Sequence, residues 1–459
     1  MSSGSGKNAK SLFFDHLLLP EGWARDVRVT IRDGRITALE IDVEARPEDE
    51  RHGCGLPGMP NLHSHAFQRG MAGLTERRGP SDDSFWTWRD IMYRFVDRVT
   101  PDDVRAIAAL AYVEMLESGF TRVGEFHYLH HDRNGAHFAD LAEMSGAIAA
   151  AAAESGIGLT LLPVLYSHSG FGAQPPRDGQ SRFILSVEDY ARLLEGAGRH
   201  VASLPDAVVG VAPHSLRAVS PDQLRLLEPL AAGRPVHIHI AEQVKEVEDC
   251  LAWSGRRPVE WLLDHADVDG RWCLVHATHM TDAETAAMAR SGAIAGLCPI
   301  TEANLGDGVF PAEAFLAAGG RYGIGSDSNI LIDCAEELRL LEYGQRLTRR
   351  GRNMLARGAG QSTGAALHAA ALAGGAAALG VRSGLAAGLP ADIVSLDPDH
   401  PALLHRQGDA ITDSFLFAAG RSAIDCVWHY GEKLVHQGRH RARSRILRDY
   451  HAALETLIA

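Results

Sequence analysis

The middle of the 459-residue chain alternates short apolar runs with stretches of helical periodicity. Eight apolar runs are nearly continuous in hydrophobicity, as parallel strands buried on both faces should be. Several helical stretches between them end at a glycine suited to a C-terminal cap. The runs read GMPNLHSH, TRVGEFHY, LTLLPVLYSH, AVVGVAPHSL, PVHIHIAE, RWCLVHATH, AIAGLCPI and RYGIGSDS. This eight-fold alternation predicts the α/β class and a (β/α)8 TIM-like barrel.

Chemically reactive side chains stand at the C-terminal ends of these runs. They are His63, His65, His127, Tyr128, His168, His214, His239, Glu242, His276, His279 and Asp327. In a (β/α)8 barrel those ends meet on one face, where the active site lies. If these residues had only a structural role, they would not be expected to stand at the same end of each strand. We therefore expect one active site on this face.

Two of these residues, His63 and His65, stand two positions apart, so their side chains point to the same side of a strand. Both could bind one metal ion, although an H-x-H pair alone is equally consistent with capping or ordinary hydrogen bonding. Histidines on the fifth and sixth runs and Asp327 on the eighth favour the metal. Asp327 could instead cap the following helix.

The fifth and sixth runs each offer a choice of histidine. His237 and His239 face the same way, so spacing does not separate them. His239 lies nearer the C-terminal end of its run and three positions before Glu242, so it is the better candidate, and we expect His237 to pack inside the barrel. His276 ends the sixth run, whereas we expect His279 to lie in the loop with a surface or supporting role.

The two ends of the chain are β-rich and differ from the middle. SLFFDHLLL, VRVTIRDGRITALE, ADIVSLD and CVWHYGEKLVHQGRH have strand character, with tight turns at Asp33–Gly34 and around Gly431. We expect both ends to form one small β-sandwich domain, and SRILRDYHAALETLI to form a final helix. The predicted division is a disordered tail at 1–10, a β domain at 11–57 and 386–445, a barrel at 58–385 and a C-terminal helix at 446–459.

Composition narrows the class of protein. The formal net charge of −13 argues against nucleic-acid binding, and it means that an anionic substrate needs locally placed arginines. The six cysteines are scattered without a C-x-x-C pair, which is typical of reduced thiols. No run approaches the roughly 18 apolar residues of a membrane span. We therefore expect a soluble, cytoplasmic protein.

The motifs NLHSH, HIHIAE, LVHATH and GIGSDS, in this order, resemble the metal-dependent amidohydrolase superfamily in its branch of mononuclear deaminases. That branch lacks the carboxylated lysine of the two-metal members, and no lysine occurs between Lys10 and Lys245. From about residue 12 to the C-terminus the chain resembles the formimidoylglutamate deiminases. The longer motifs include MPNLHSHAFQRGMAGL, DSFWTWRDIMYR, EFHYLHHD, LLPVLYSHSGFG, HSLRAV, WSGRRPVEWL and TEANLGDGVFP.

The resemblance implies a reaction and a metal centre. Hydroxide generated at the metal would attack the formimidoyl carbon of N-formimidoyl-L-glutamate, giving N-formyl-L-glutamate and ammonia in histidine degradation. Glu242 would carry a proton to the leaving nitrogen, Asp327 would take the hydroxide proton, and His276 would polarise the reacting centre. The resemblance assigns one Zn²⁺ per subunit to His63, His65, His239 and Asp327.

The resemblance also implies how the substrate is bound. The two carboxylates of a small dicarboxylate suit the bidentate, permanently charged guanidinium group of arginine. Arg89 in FWTWRD and Arg217 in HSLR match the family's carboxylate-binding positions, and Gln68, Tyr128 and His214 would add hydrogen bonds. A lone arginine would otherwise be interpreted as a solvated surface charge. The family further implies a homodimer.

Other functions fit parts of the pattern. An aminohydrolase of a nucleobase such as guanine, or of an adenosine derivative, shares the chemistry, but its site should favour stacking and amide groups over paired arginines. A barrel that has lost catalysis should lack metal ligands, whereas all four and Glu242 are present. A hydrolase of formimidoyl-aspartate or another short acyl-amidine stays open. Asn304 is as well suited to a turn as to the site.

Overall fold

The computed structural model describes residues 9–78 and 85–458. Most of the predicted disordered tail lies outside the described residues, and Lys10 already begins the first strand. The strands are β1 Lys10–Leu19, β2 Gly22–Arg32, β3 Arg35–Glu40, β4 Glu50–Pro57, β5 Met59–Ser64, β6 Phe120–His127, β7 Gly158–Leu165, β8 Val208–Val209, β9 Ala212–Pro213, β10 Val236–Ile240, β11 Trp272–His276, β12 Ile294–Leu297, β13 Arg321–Ile324, β14 Ile393–Leu396, β15 Ile424–His429, β16 Glu432–His436 and β17 Arg439–His440.

Helices follow most of the barrel strands, and many begin at a side-chain cap. Thr100, Ser220 and Thr281, for example, accept a hydrogen bond from the backbone three residues on, which satisfies a free N–H of the first turn. The helices are α1 Phe85–Val96, α2 Pro101–Glu117, α3 Glu143–Ser155, α4 Val187–Val201, α5 Pro221–Leu227, α6 Val244–Ser254, α7 Pro258–His265, α8 Asp282–Ser291, α9 Pro299–Leu305, α10 Ala312–Ala317, α11 Cys334–Arg349, α12 Thr363–Ala378, α13 Asp409–Ser414 and α14 Arg443–Ile458. The predicted final helix is therefore present.

The barrel forms from the eight predicted runs. Its strands follow the order β10-β11-β12-β13-β5-β6-β7-β8, with β9 paired to β7. The fourth run is divided into the short strands β8 and β9, and bridges from Val211 to Val236 and from Ser215 to His239 close the ring. The predicted (β/α)8 architecture is confirmed. All eight runs are parallel, so their C-terminal ends share one face.

The C-terminal end of α12 packs against the barrel core. His237 is fully buried, and its Nε2 donates a hydrogen bond to the carbonyl oxygen of Ala378 at 2.7 Å. Thr160 of β7 donates to the carbonyl oxygen of Leu379 at 3.1 Å. Both bonds satisfy buried polar groups away from the C-terminal strand ends. His237 is therefore held inside the fold, as expected.

The small β domain uses strands from both chain ends. Its sheet has the order β17-β16-β15-β14-β4-β1-β2-β3, so strands from the start and the end of the chain meet where β4 pairs with β14. Phe14 and Trp428 contact edge to face in its core. The expected turn at Asp33–Gly34 has φ angles of 50° and 80°, the left-handed values of a tight hairpin. The predicted β-sandwich built from both ends is confirmed.

No helix in residues 9–78 and 85–458 is long and apolar enough to cross a membrane.

A close approach between α12 and β13 generates a stability prediction. A Cβ atom at Gly374 would lie 1.8 Å from the carbonyl oxygen of Tyr322, so Gly374→Ala must displace α12. We expect it to lower the free energy of unfolding by about 2–3 kcal/mol, measured by thermal denaturation. Gly198→Ala in α4 is the matched control, because a Cβ there has nothing within 4 Å. Equal stability of the two variants would contradict the prediction.

Candidate metal centre and active-site cavity

Four potential ligand atoms converge at the C-terminal ends of β5, β10 and β13. Nε2 of His63 lies 3.2 Å from Nε2 of His65 and 3.0 Å from Nε2 of His239. Oδ1 of Asp327 lies 3.2 Å from Nε2 of His65 and 3.6 Å from Nε2 of His63. The four ligand atoms lie within 4.8 Å of one another, and all four residues are buried. The structure thus brings together the four residues that the sequence analysis assigned to a metal.

Hydrogen bonds orient two of the imidazole rings toward this cluster. His65 Nδ1 donates to the carbonyl oxygen of Phe126 at 2.8 Å, and His239 Nδ1 donates to that of His214 at 3.1 Å. A neutral ring that donates through Nδ1 keeps a lone pair on Nε2. Burial lowers the pKa of His65 to about 3, and burial with the neighbouring histidines lowers the pKa of His63 and His239 well below the usual value. All three rings are therefore in the neutral form that binds metal.

This donor set fits a small divalent cation. Ligands about 2.0–2.1 Å from a tetrahedral Zn²⁺ lie roughly 3.3 Å apart, close to the observed N···N distances of 3.0 and 3.2 Å. Without a cation the Nε2 lone pair of His65 would face the Asp327 carboxylate in a buried space, which is electrostatically unfavourable. Burial also raises the pKa of Asp327 to about 6, an effect that a bound cation would oppose. Three imidazoles and one carboxylate can therefore hold one metal ion.

Left-handed backbone conformations occur where the functional side chains leave the strands. The φ angle is 50° at Ala241, 68° at His276, 45° at Asp327 and 56° at Asn329. For residues other than glycine each such conformation costs about 1–3 kcal/mol and persists only where the surroundings impose it. Strained backbone therefore occurs beside the candidate metal centre, at residues that carry or adjoin functional side chains.

A buried polar network holds the Asp327 segment against β5. Asn61 Nδ2 donates to Ser326 Oγ at 2.6 Å, and Asn61 Oδ1 accepts from the Ser326 backbone N–H at 3.0 Å. Asn329 Nδ2 donates to the carbonyl oxygens of His65 at 3.1 Å and Asp327 at 3.0 Å. These bonds fix the relative position of two chain segments that carry potential ligands.

His276 lies between carboxylates at the edge of the cluster. Its Nε2 is 3.8 Å from Glu242 Oε1 and 3.8 Å from Asp327 Oδ2. Its Nδ1 donates to Glu302 Oε1 at 3.2 Å, and the same oxygen accepts from the backbone N–H of Cys298 at 2.9 Å. Burial alone would lower the pKa of His276, but the carboxylates of Glu242, Glu302 and Asp327 outweigh it and raise the pKa to about 10. The surrounding carboxylates therefore favour the protonated form of the ring, in which both nitrogens donate.

A cavity adjoins the cluster. Its wall contains every residue that the sequence analysis assigned to catalysis or substrate binding. It also contains several aromatic side chains that the sequence analysis did not single out. The lining residues are His65, Gln68, Phe85, Trp88, Arg89, Met92, Tyr93, Tyr128, Tyr166, Phe183, His214, Arg217, His239, Glu242, His276, Thr301, Leu305, Asp327 and Ser328.

The two arginines of the cavity contact one indole ring. The Cζ atoms of Arg89 and Arg217 lie 4.7 and 5.9 Å from the ring centre of Trp86, and Arg89 also lies 5.5 Å from that of Tyr93. The Nε atoms of both arginines are buried and have no hydrogen-bond partner within the described part of the chain. Stacking on aromatic rings leaves the guanidinium edges available to an anionic ligand.

Hydrogen-bonding side chains also line the cavity. Gln68 lies on the short 3₁₀ helix Ala66–Met71 and donates through Nε2 to the Tyr128 hydroxyl at 2.9 Å. Its Oε1 is buried without a partner among the described residues. The ring of His214 packs against Tyr166, with 4.5 Å between centroids. Gln68, Tyr128 and His214 are therefore placed to contact a molecule in the cavity.

Other residues considered in the sequence lie away from the cavity wall. His279 is in the loop after β11, where its carbonyl oxygen accepts from Arg257 Nη2 at 2.6 Å. Asn304 donates to Glu76 at the surface, at 2.9 Å. His127 and His168 also do not line the cavity.

Sequence analysis did not identify Glu302, Trp86 or Tyr166. Glu302 lies in the motif TEANLGDG, in which Asn304 was the only candidate. The signal that could have identified Glu302 is an acidic residue soon after a barrel strand. Trp86 and Tyr166 carried no such signal, because aromatic residues near helices and strands are ordinary core residues.

A second group of potential ligands lies in the small β domain, at His52, Asp425 and Cys426. Its polar atoms are already paired: the Cys426 thiol donates to Asp425 Oδ2 at 3.3 Å, and His52 Nε2 lies 2.9 Å from Glu50. Lys433 supplies a positive charge to Glu50. We assign no metal to this group.

Comparison with known proteins places the chain in a family. The model of the amidohydrolase family matches residues 55–434, and the model described as formimidoylglutamate deiminase HutF, N-terminal domain, matches residues 12–53. A formimidoylglutamate deiminase from Pseudomonas aeruginosa is 53% identical over 453 residues, covering 98% of this chain and 99% of the relative. A 5-methylthioadenosine/S-adenosylhomocysteine deaminase from Natronomonas pharaonis is 30% identical and covers 84% of each chain.

Solved structures agree with this placement. The crystal structure of an amidohydrolase from Brucella melitensis is 56% identical, with a TM-score of 0.95, and covers 98% of this chain and 100% of its own. An adenosine deaminase from Xanthomonas campestris, solved with bound zinc, is 23% identical with a TM-score of 0.79 and covers 98% of each chain, which shows the shared fold. The chain belongs to the amidohydrolase family and, within it, to the formimidoylglutamate deiminases.

Proposed function

We propose that this protein hydrolyses N-formimidoyl-L-glutamate to N-formyl-L-glutamate and ammonia, as a step of histidine degradation. The observation that carries the proposal is one cavity that contains a potential metal centre, an acid–base group and two arginines without carboxylate hydrogen bonds. The name of the Pseudomonas aeruginosa relative supports the same reaction. We also propose a cytoplasmic homodimer with one Zn²⁺ per subunit and the domain limits given above.

His63, His65, His239 and Asp327 would hold the metal, which when bound supplies Lewis-acid activation of water. The reaction adds water to the formimidoyl carbon and breaks the bond from that carbon to its terminal nitrogen. Both protons of the water must reach this nitrogen for it to leave as ammonia. In our proposal Glu242 transfers the first proton and Asp327 the second. His276, charged and held by Glu302, donates a hydrogen bond to the reacting centre.

The substrate carboxylates would bind at Arg89 and Arg217. The protein has a net charge of −13, so an anion is attracted by these local guanidinium groups rather than by the overall field. Gln68, Tyr128 and His214 would hold the substrate between the arginines and the metal.

A nucleobase aminohydrolase is the second candidate, because the relative from Natronomonas pharaonis is a deaminase of adenosine derivatives and aromatic side chains line the cavity. Ammonia release from N-formimidoyl-L-glutamate, formimidoyl-aspartate and guanine on one metal-analysed sample decides between them. We expect the highest kcat/KM with N-formimidoyl-L-glutamate. A preference for guanine would overturn the proposal.

Glu242→Gln tests proton transfer. The amide keeps the shape of the side chain but cannot accept the proton from water, so we expect kcat to fall by about 10²–10⁴-fold with normal metal content. Glu242 is not among the four potential ligands, so metal analysis separates a lost proton shuttle from a lost metal. Near-normal turnover would remove Glu242 from this role.

Arg217→Ala tests carboxylate binding. Loss of charge-assisted hydrogen bonds to a carboxylate should raise KM about 10–100-fold and leave metal content unchanged. Arg225→Ala is the control, because this exposed arginine pairs with Asp222 on the outside of α5. Unchanged KM in Arg217→Ala would refute the assignment.

Metal removal tests the cofactor. Dialysis against a chelator should abolish ammonia release and lower the thermal midpoint, because a ligand that binds only the folded state stabilises it. Addition of about one equivalent of Zn²⁺ per chain should restore both. Activity that survives in protein shown by elemental analysis to be metal-free would contradict the proposed metal centre.

A further inference from the structure

We propose that Glu246, in the first turn of α6, is a positioning residue that orients the substrate-binding Arg217 and the backbone of the proton-transferring Glu242 together. The inference rests on the proposed function and deepens it, because it names the group that joins carboxylate recognition to proton transfer. Glu246 does not line the cavity, so it acts through the two residues that do.

The first observation is the environment of Arg217. This arginine is 9% exposed, and its Nε lies 3.9 Å from Glu246 Oε2. No other carboxylate of the described residues forms an ion pair with it. A buried guanidinium group is stable where a carboxylate compensates its charge. Glu246 on one side and the ring of Trp86 on another therefore restrict where the arginine can point.

The second observation is the loop between β10 and α6. The Glu246 carboxylate accepts hydrogen bonds from the backbone N–H groups of Ala241 and Glu242, each at 3.2 Å. A glutamate in the first turn of a helix ordinarily bonds the N–H of the N-cap residue, here Gln243. Glu246 instead bonds the N–H groups of the two residues before the N-cap, Glu242 and Ala241. Ala241 has a strained, left-handed backbone with a φ of 50°.

These contacts use both oxygens of one fully buried carboxylate. Oε1 accepts from Ala241, while Oε2 accepts from Glu242 and faces Arg217. The carboxylate oxygen that faces the arginine therefore also holds the backbone of Glu242. Glu246 thus sets the spacing between the bound substrate carboxylate and the proton-transferring Glu242.

Two variants separate this role from simple helix stability. Glu246→Gln keeps one acceptor for the loop but loses the charge that faces Arg217, so KM for N-formimidoyl-L-glutamate should rise about tenfold while kcat changes less than threefold. Glu246→Ala removes both acceptors, so KM should rise and kcat should also fall at least tenfold. Metal content and the thermal midpoint are measured on each variant. An unchanged KM in folded, metal-loaded Glu246→Gln would overturn the inference.

A double variant and a matched control complete the test. In Arg217→Ala/Glu246→Gln, KM should equal that of Arg217→Ala alone, because no guanidinium group is left to orient; independent, multiplicative effects would overturn the inference. Glu248→Gln, an exposed acid two residues away on α6, should leave KM and kcat unchanged. Wild-type protein that releases no ammonia from N-formimidoyl-L-glutamate would overturn the proposed function and this inference with it. Active wild type with a KM insensitive to Glu246→Gln would overturn the inference alone.

Discussion

The convergence of three imidazole Nε2 atoms and one carboxylate in a buried space is the constraint on which the rest of the site depends. The Nε2 lone pair of His65 and the Asp327 carboxylate oxygen lie 3.2 Å apart, which is unfavourable unless a cation lies between them. The barrel nevertheless holds them there, because β5, β10 and β13 end on one face and two of the rings, His65 and His239, are fixed by the hydrogen bonds that they donate to the carbonyl oxygens of Phe126 and His214. Strained residues such as Asp327 persist because Asn61, Ser326 and Asn329 hold the segments around them.

The cavity combines groups of opposite charge. His276 lies among the carboxylates beside the potential metal ligands, whereas Arg89 and Arg217 contact Trp86. In a protein of strongly negative net charge, these two arginines supply local positive charge for a small anion.

Much of the fold and of the candidate site could be predicted because both depend on local periodicity. Side chains two apart on a strand share a face, which paired His63 with His65, and the barrel rule placed His239 and Asp327 on the same rim. The preference for His239 over His237 follows from its position nearer the strand end. In the structure, His237 instead donates a hydrogen bond to the carbonyl oxygen of Ala378. Arg89 and Arg217 could be chosen only through the family resemblance, since nothing local distinguishes them from other arginines.

Hydrophobic periodicity along the chain was thus enough to predict the class of fold and the reactive side chains at the strand ends, and the family resemblance then selected four metal ligands among them. The partners of those residues depend on contacts between distant segments. Glu302 meets His276, Glu246 meets Arg217 and Trp86 meets Arg217 across separations in sequence that no periodic pattern encodes. Left-handed conformations at Ala241, His276 and Asp327 likewise arise from packing and hydrogen bonding between distant segments, which impose a backbone geometry that the residues themselves disfavour.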